Sequence, residues 1–442
     1  MRGKLIAHVS EINALALWLL GFISFFSKSS VLHTCINILI LSFALISFGS
    51  ARRSIKILIL IILTSTLWLA SGYGVFRAIW QGLERASIFP AFLATLVLLR
   101  GTADRRPETS LARQAFSSLP ANQRAGGIVT GAHFIGAILQ VGVFSILAPI
   151  VGRNASEAER REVFLIAARG MALVPFWSPF IVGMAIASEY LPDVPLWQPV
   201  CLGLALTAIG LLTSSMIMDR EFNPLMIGHA LKSLGPIIPG VFLTAALVIV
   251  TSTVTGWSTL QSLVVSLPVP CLIGLLGMTK ENSLSAVTSI KTGIGRIGPE
   301  VTLMTCAITL GTVFEAAMPQ SGILTWLQSL DLTEASVIFI VIMCMNIAGL
   351  LGIHAIVPGT ILLVIFVNIN TGLADLVLMQ ALLVGWGLCT LISLGSLTII
   401  TGSVMFNLDP LRVITLPNIG YAFGLGTFCG TTLYIINLLL MT

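Results

Sequence analysis

Apolar runs of about 20 residues recur along the whole of this 442-residue chain, separated by short polar segments. A helix of that length crosses a hydrocarbon core roughly 30 Å thick. Only 9% of the residues are charged, against about 25% in an ordinary soluble domain, and the mean hydropathy is +1.01. The sequence therefore predicts an all-α polytopic membrane protein.

Hydropathy, turn residues and charges predict about eleven transmembrane helices. The polar stretch 219–235 divides them into two groups. The predicted helices lie near residues 12–27, 31–49, 57–75, 86–100, 163–188, 196–218, 236–254, 259–279, 299–318, 377–405 and 415–441.

Two further apolar segments, 125–151 and 335–369, are interrupted near the middle by glycine or proline, as GAHFIG and as GLLGIHAIVPG. Each interruption places a histidine two residues after a glycine, at His133 and His354. The second segment is too long for one untilted helix of about 20 residues. Each segment fits either a kinked transmembrane helix or a re-entrant hairpin that enters and leaves the membrane on the same side.

The distribution of basic residues favours hairpins. With two hairpins, 19 of the 23 Lys and Arg residues fall in cytoplasmic loops, as the basic-inside rule requires. A single crossing at 125–151 would place Arg153, Arg160 and Arg161 outside. We therefore expect two hairpins in a multi-pass protein of the inner (cytoplasmic) membrane, with the N-terminus in the cytoplasm.

These assignments predict two repeats of opposite orientation, each with three transmembrane helices, a hairpin and two more transmembrane helices. A leading helix occupies 1–30, and the first repeat spans 31–218 with its hairpin at about 125–151. A cytoplasmic linker at 219–235 precedes the second repeat, 236–442, with its hairpin at about 335–369. Inverted repeats are typical of secondary transporters, whose substrate site lies near the membrane midplane between the repeats.

The predicted substrate site lies where the apolar segments are interrupted. Irregular backbone at membrane depth is tolerated only where it is buried in protein or lines a cavity. The helix after each hairpin is also broken, and broken helices present N-terminal ends to anions and C-terminal ends to cations. We expect an anion bound without an arginine. The predicted substrate-binding residues are Thr130, Gly131, His133, Trp177, Ser178, Pro179, Gly352, His354, Pro358, Thr360, Ser396 and Thr398.

No Asp or Glu lies at the middle of a predicted transmembrane helix, which argues against a carboxylate proton relay. The candidates for ion coupling are His133, His354 and Glu315, the last near the outer end of its helix. Na⁺ held by carbonyl and hydroxyl oxygens and a histidine-linked H⁺ both remain open. Alternatively, either histidine simply hydrogen-bonds a neighbouring carbonyl and stabilises its turn.

The order and orientation of the segments resemble the ion transporter superfamily. That group includes divalent anion/sodium symporters, arsenite and sodium/proton permeases, and the large membrane subunits of TRAP transporters. The resemblance implies paired re-entrant hairpins, an elevator mechanism and a homodimer. The symporter branch carries Ser-Asn-Thr motifs at the hairpin tips, where this chain has Thr130-Gly131-Ala132-His133 and Gly352-Ile353-His354.

The predicted function is ion-coupled secondary transport of a small organic anion of carboxylate type. The expected partners are this substrate and membrane lipid, with no nucleic acid, metal or other cofactor and no catalytic residue. The alternatives are a TRAP-like membrane subunit that requires a binding-protein partner, an exporter, or an intramembrane metalloenzyme. The metalloenzyme needs three or four ligands, and His133 and His354 have no evident third partner.

The topology prediction is testable by cysteine labelling in a chain whose seven native cysteines are replaced by alanine. Asp193→Cys, in the acidic loop EYLPDVP, should react with a membrane-impermeant maleimide added to intact cells. Arg412→Cys, in a predicted cytoplasmic loop, should react only after permeabilisation. The reverse pattern would contradict the predicted orientation.

Overall fold

The computed structural model of this protein describes residues 2–27, 29–117, 124–152, 155–218, 228, 232 and 235–441. These residues form helices and their connections, and no strand occurs among them. The predicted all-α fold class is confirmed. The predicted linker at 219–235 lies outside the described residues, apart from residues 228, 232 and 235.

In the N-terminal half of the chain the helices α1 to α11 are, in order, Arg2–Ser24, Ser30–Ser50, Arg53–Tyr73, Arg77–Ala86, Phe89–Asp104, Pro107–Ser117, Arg124–Leu139, Phe144–Leu147, Glu157–Ala172, Val182–Tyr190 and Trp197–Thr213. Short 3-10 helices follow at Gln140–Val143, Ala148–Val151 and Val174–Phe176, and a π-helical turn at Ser214–Met218.

In the C-terminal half the helices α12 to α22 are, in order, Ile238–Thr255, Thr259–Ser266, Pro268–Leu276, Lys280–Ile294, Gly298–Ala317, Ile323–Ser329, Glu334–Leu350, Ile356–Val367, Asp375–Ile392, Leu397–Met405 and Leu416–Met441. A 3-10 helix occupies Pro410–Val413.

Ten helical stretches within the described residues are long and apolar enough to cross a membrane, which confirms a polytopic membrane protein. Helix pairs in direct succession, such as α4 and α5, are counted as one stretch. The stretches are Ser30–Gly49, Ile55–Tyr73, Arg77–Asp104, Ala125–Val151, Trp197–Met218, Ile238–Thr255, Thr259–Leu276, Gly298–Ala317, Asp375–Met405 and Leu416–Met441. Val9–Ser24, Glu334–Leu350 and Ile356–Val367 are shorter apolar helices.

The chain folds into two compact units. The first unit comprises Met1–Arg105 and Val254–Asp331. Its central helix is α16, which packs against α2, α3 and α4 and is buried over most of its length. Small residues on α4 allow this approach: a Cβ atom at Gly82 would lie 2.6 Å from the Cα of Thr309. Small residues at such positions are the usual way for membrane helices to pack closely.

The second unit comprises Arg106–Thr253 and Leu332–Thr442. Its central helix is α20, which packs against α18, α22 and α9. Helix α7 runs along α9, and the two backbones nearly touch, because a Cβ atom at Gly170 would lie 2.2 Å from the Val129 carbonyl oxygen. The predicted repeat boundaries at 31–218 and 236–442 do not coincide with those of the units, and the repeats stay a prediction.

The turn of the first predicted hairpin, at residues 130–133, is not where the sequence predicts it. Thr130, Gly131 and His133 lie within the unbroken helix α7, and the helix ends only at Leu139. Gln140 then takes a left-handed conformation with φ of 50°. Gly136 of α7 serves packing instead of a turn: a Cβ atom there would lie 2.1 Å from the sulfur of Met171 on α9.

The helix interruption predicted in the second hairpin and those predicted in the two broken helices are confirmed. Residues 173–181 separate α9 from α10, residues 351–355 separate α18 from α19, and residues 393–396 separate α20 from α21. Gly352 has φ of 74°, a conformation that favours glycine.

Pro358 and Thr360 were predicted in the turn at 351–355 but lie within the first two turns of α19. Proline is tolerated there because the first four N–H groups of a helix have no intrahelical acceptor. The Thr360 hydroxyl donates to the Ile356 carbonyl at 2.8 Å.

Gly82→Ala should destabilise the protein by about 1–3 kcal/mol, because the added methyl group forces α4 away from α16. The matched control is Gly72→Ala on α3, where a Cβ atom meets nothing within 4 Å. That change should be neutral or stabilising by up to about 1 kcal/mol through helix propensity. Unfolding in detergent micelles measures both, and equal effects would contradict the packing described for α4.

Candidate functional site

All four helix interruptions of the second unit meet at one cavity of about 130 Å³. The segments that form it come from both halves of the sequence, at residues 140–141, 171–182, 354–355 and 386–398. Representative lining residues are Gln140, Pro175, Ile181, His354, Ser396 and Thr398.

Three of the predicted site residues line this cavity: His354, Ser396 and Thr398. The remaining predicted residues are all described, and none of them is part of its wall. Those residues are Thr130, Gly131, His133, Trp177, Ser178, Pro179, Gly352, Pro358 and Thr360.

The interruptions at 351–355 and 393–396 are in direct contact. The Ser393 hydroxyl donates to the Ile353 carbonyl at 3.2 Å and accepts from the Gly395 N–H at 3.1 Å. A Cβ atom at Gly395 would lie 2.4 Å from the Gly352 carbonyl oxygen. The N-terminal ends of α19 and α21 are therefore neighbours at one end of the cavity.

Ser396 caps α21. Its hydroxyl accepts from the Ile399 N–H at 3.2 Å and donates to the Thr390 carbonyl at 2.7 Å. The single hydroxyl proton is thus already used, and Ser396 shapes the helix end instead of offering a donor to a ligand.

Thr398, in the first turn of α21, has an available hydroxyl group. The residue is only 7% exposed and lines the cavity. Among the described residues, none forms a hydrogen bond with its Oγ1. This hydroxyl can therefore donate to a ligand within the cavity.

His354 also has an available donor. Its Nδ1 accepts from the Ile356 N–H at 3.3 Å, and this partner assigns the proton of the neutral ring to Nε2. No group in the described part of the chain accepts a hydrogen bond from Nε2. His354 is half-buried and lines the cavity.

His133 is fully buried, and both of its ring nitrogens are hydrogen-bonded. The Trp177 indole N–H donates to Nε2 at 3.0 Å. Nδ1 lies 3.2 Å from the Gly170 carbonyl oxygen, so that Nδ1 carries the proton of a neutral ring. Trp177 in turn stacks on Phe242, with ring centroids 5.8 Å apart. His133 therefore holds the interruption at 173–181 against α7 and has no nitrogen free for a ligand.

Two glutamines that the sequence interpretation missed hold the backbone of residues 173–181. The Gln140 amide donates to the Phe180 carbonyl at 2.8 Å, and the Gln380 amide donates to the Phe176 carbonyl at 2.9 Å. Ser178 adds a longer bond to the Ala137 carbonyl, at 3.4 Å. A sequence signal existed, because an amide side chain within an apolar run is as unusual as the histidines that were singled out.

The electrostatics of the cavity come from helix ends. Its wall, formed wholly by described residues, contains no Asp, Glu, Lys or Arg. The N-terminal ends of α10, α19 and α21 reach it, as do the C-terminal ends of α9 and α20. N-terminal ends attract anions, and C-terminal ends attract cations.

Glu315, a predicted candidate for ion coupling, belongs to the first unit and forms an ion pair with Arg85 at 2.6 Å. Both side chains are partly exposed. Within the described residues, no group of three or more His, Cys, Asp or Glu side chains is placed to hold a metal ion.

His133→Ala should destabilise the protein by about 2–4 kcal/mol. It leaves the buried Trp177 N–H without its partner, at roughly 1–3 kcal/mol, and it removes a fully buried ring, which adds the cost of a cavity. The Gly170 carbonyl keeps its hydrogen bond from the Leu173 N–H. The matched control, His354→Ala, removes one hydrogen bond at a half-buried site and should cost about 0.5–1.5 kcal/mol. Unfolding of both variants in micelles tests this order. A smaller loss for His133→Ala than for His354→Ala would refute the bridging role.

No protein-family model matches this chain, and no curated protein matches it in sequence. Among solved structures, it is similar to the Alcanivorax borkumensis YdaH transporter, whose crystal structure is described as revealing an unusual topology. The TM-score is 0.49 with 12% sequence identity, over 84% of this chain and 88% of that chain. A likeness of this size supports no conclusion about the function of this chain.

Proposed function

We propose that this protein is a secondary active transporter that moves a small organic anion across the cytoplasmic membrane and binds it in the cavity of the second unit. The observation that carries the proposal is the convergence of four helix interruptions, from both halves of the chain, on one uncharged cavity. Interrupted helices around a site are characteristic of transporters. In an apolar protein they also create the polar groups that an anion needs.

The available donors support an anionic substrate. Among the described residues, no acceptor bonds the His354 Nε2–H, the Thr398 hydroxyl or the backbone N–H groups of Leu397 and Thr398. The next two N–H groups of α21, at residues 399 and 400, bond the Ser396 side chain and carbonyl. Backbone N–H groups at a helix N-terminus bind anions without a basic side chain. An anion at this end of the cavity would satisfy these groups together.

The division of the chain into units supports an elevator mechanism. The first predicted repeat gives its first three helices to the first unit, the second repeat gives its helices near 259–279 and 299–318, and both give their interrupted segments to the second unit. The helix near 236–254 belongs to the second unit. In this proposal the second unit, which holds the whole cavity, moves as one body with the substrate, and the first unit is the scaffold of a homodimer. Re-entrant hairpins at about 125–151 and 335–369 and membership of the ion transporter superfamily belong to the same proposal.

We propose that transport of the anion is coupled to Na⁺ or H⁺. The C-terminal ends of α9 and α20 at the cavity favour a cation next to the anion, which supports Na⁺. His354 supports H⁺, since its imidazole can bind a proton beside the anion. Transport measured under a gradient of Na⁺ alone, and then under a gradient of H⁺ alone, shows which ion is coupled.

The test is uptake of labelled small carboxylates into proteoliposomes that contain only this protein, under an imposed Na⁺ or pH gradient. Gly395→Ala should lower the uptake rate at least about tenfold, because the new methyl group would force apart the interruptions at 351–355 and 393–396, and 1.4 kcal/mol of lost binding is already tenfold. Gly424→Ala on α22, where a Cβ atom meets nothing within 4 Å, should leave uptake unchanged.

Uptake without any added protein supports a self-sufficient transporter. Uptake that requires a soluble binding protein would favour the TRAP-like alternative, and substrate movement only out of the vesicles in the cellular orientation would favour an exporter. No ion-driven movement of any carboxylate in folded, reconstituted protein would contradict the proposal.

A further inference from the structure

The hydrogen-bond donors of the cavity lie at one end. Thr398 and His354 belong to the N-terminal ends of α21 and α19, which the Ser393–Ile353 hydrogen bond holds together. Ser396 and Gln140 also line the cavity, where the Ser396 hydroxyl donates to the Thr390 carbonyl and the Gln140 amide donates to the Phe180 carbonyl. The polar end of the cavity is thus formed by residues 354 and 396–398.

Away from this end the wall is mostly apolar, although Gln140, Thr390 and Ser393 also line the cavity. The side chains of Met171, Val174 and Val182 offer a ligand neither a donor nor an acceptor. A second carboxylate placed against these side chains would lose its hydration without gaining a donor, which is strongly unfavourable.

The cavity is partly open, and its size sets how much of a ligand it encloses. Its volume is about 130 Å³, and a dry protein cavity of about 150 Å³ holds benzene, which has six carbon atoms. We therefore expect the enclosed part of the ligand to have about six non-hydrogen atoms. The N-terminal ends of α19 and α21 favour an anionic group at the polar end.

We propose that the substrate is a small monocarboxylate with a short apolar tail, whose carboxylate binds Thr398, His354 and the N-terminus of α21 while the tail packs against Trp386 and Met171. This inference rests on the proposed function and narrows its substrate class. It distinguishes the chain from a carrier of dicarboxylates. Thr398 and His354 are the residues that determine specificity for one carboxylate.

The test is thermal unfolding of the purified full chain, titrated with four probes of similar length at constant ionic strength: butyrate, butyramide, succinate and 4-aminobutyrate. A ligand that binds only the folded protein raises the unfolding midpoint according to its occupancy, so each titration yields a dissociation constant. Butyrate should bind at least about tenfold more tightly than the other three.

Thr398→Val keeps the shape of the side chain and removes the hydroxyl. It should weaken butyrate binding about 10- to 100-fold, the range expected for a hydrogen bond to a charged group. The matched control is Thr431→Val, on the exposed face of α22, which should bind butyrate like the unmodified protein. The unliganded melting curve shows whether Thr398→Val folds, and if it does not, His354→Met tests the second donor in the same way.

The outcomes separate this inference from the proposed function. Tighter binding of succinate or 4-aminobutyrate, weakened by Thr398→Val, would overturn the monocarboxylate class and leave the anion site in place. Equal binding of butyramide and butyrate would overturn an anionic substrate. Folded protein that responds to none of the four probes, and takes up no carboxylate in proteoliposomes, would overturn both proposals.

Discussion

Every helix interruption in a membrane protein leaves backbone N–H and C=O groups that lipid cannot hydrogen-bond, and the second unit of this protein is organised around that constraint. Its four interruptions lie together, so that each can supply partners for another. The Ser393 hydroxyl bonds the carbonyl of Ile353, and the Gln140 amide bonds that of Phe180. His354 Nε2 and the Thr398 hydroxyl, which no described group pairs, line a shared cavity.

Buried side chains without charge hold this arrangement. His133 connects α7, α9 and Trp177 through two hydrogen bonds, and Gln380 holds the Phe176 carbonyl from α20. Neutral amides and imidazoles suit this task, because burying an ion without a partner is far more unfavourable than burying a hydrogen-bonded neutral group. The same choice leaves the cavity wall free of fixed charge, so that its preference for ions comes from helix ends.

The sequence was sufficient to predict the fold class, the apolar helices and three of the four interruptions, since each is marked by proline, glycine or clustered hydroxyl residues. It misplaced the interruption near 125–151, because Gly131 and Gly136 resemble turn residues although both lie within α7, where Gly136 makes room for Met171 of α9. At the break the left-handed residue is Gln140 and not a glycine, and the Gln140 side chain bonds the Phe180 carbonyl. The sequence singles out both His133 and His354. It does not show that His133 bridges buried groups while His354 lines the cavity, because these roles depend on tertiary contacts.

The roles of Ser396 and Thr398 differ in a way that bears on how such a protein can diverge. The Ser396 hydroxyl serves two backbone groups, so that a substitution there disturbs the end of α21 together with the cavity. The Thr398 hydroxyl serves no described group of the protein, and its replacement leaves the helix end intact. Selection for a new ligand can therefore act on position 398 without a compensating change elsewhere, whereas position 396 is constrained by folding. Under the proposed function, the substrate preference of descendants of this chain can change through position 398 alone, whereas position 396 is constrained by the end of α21.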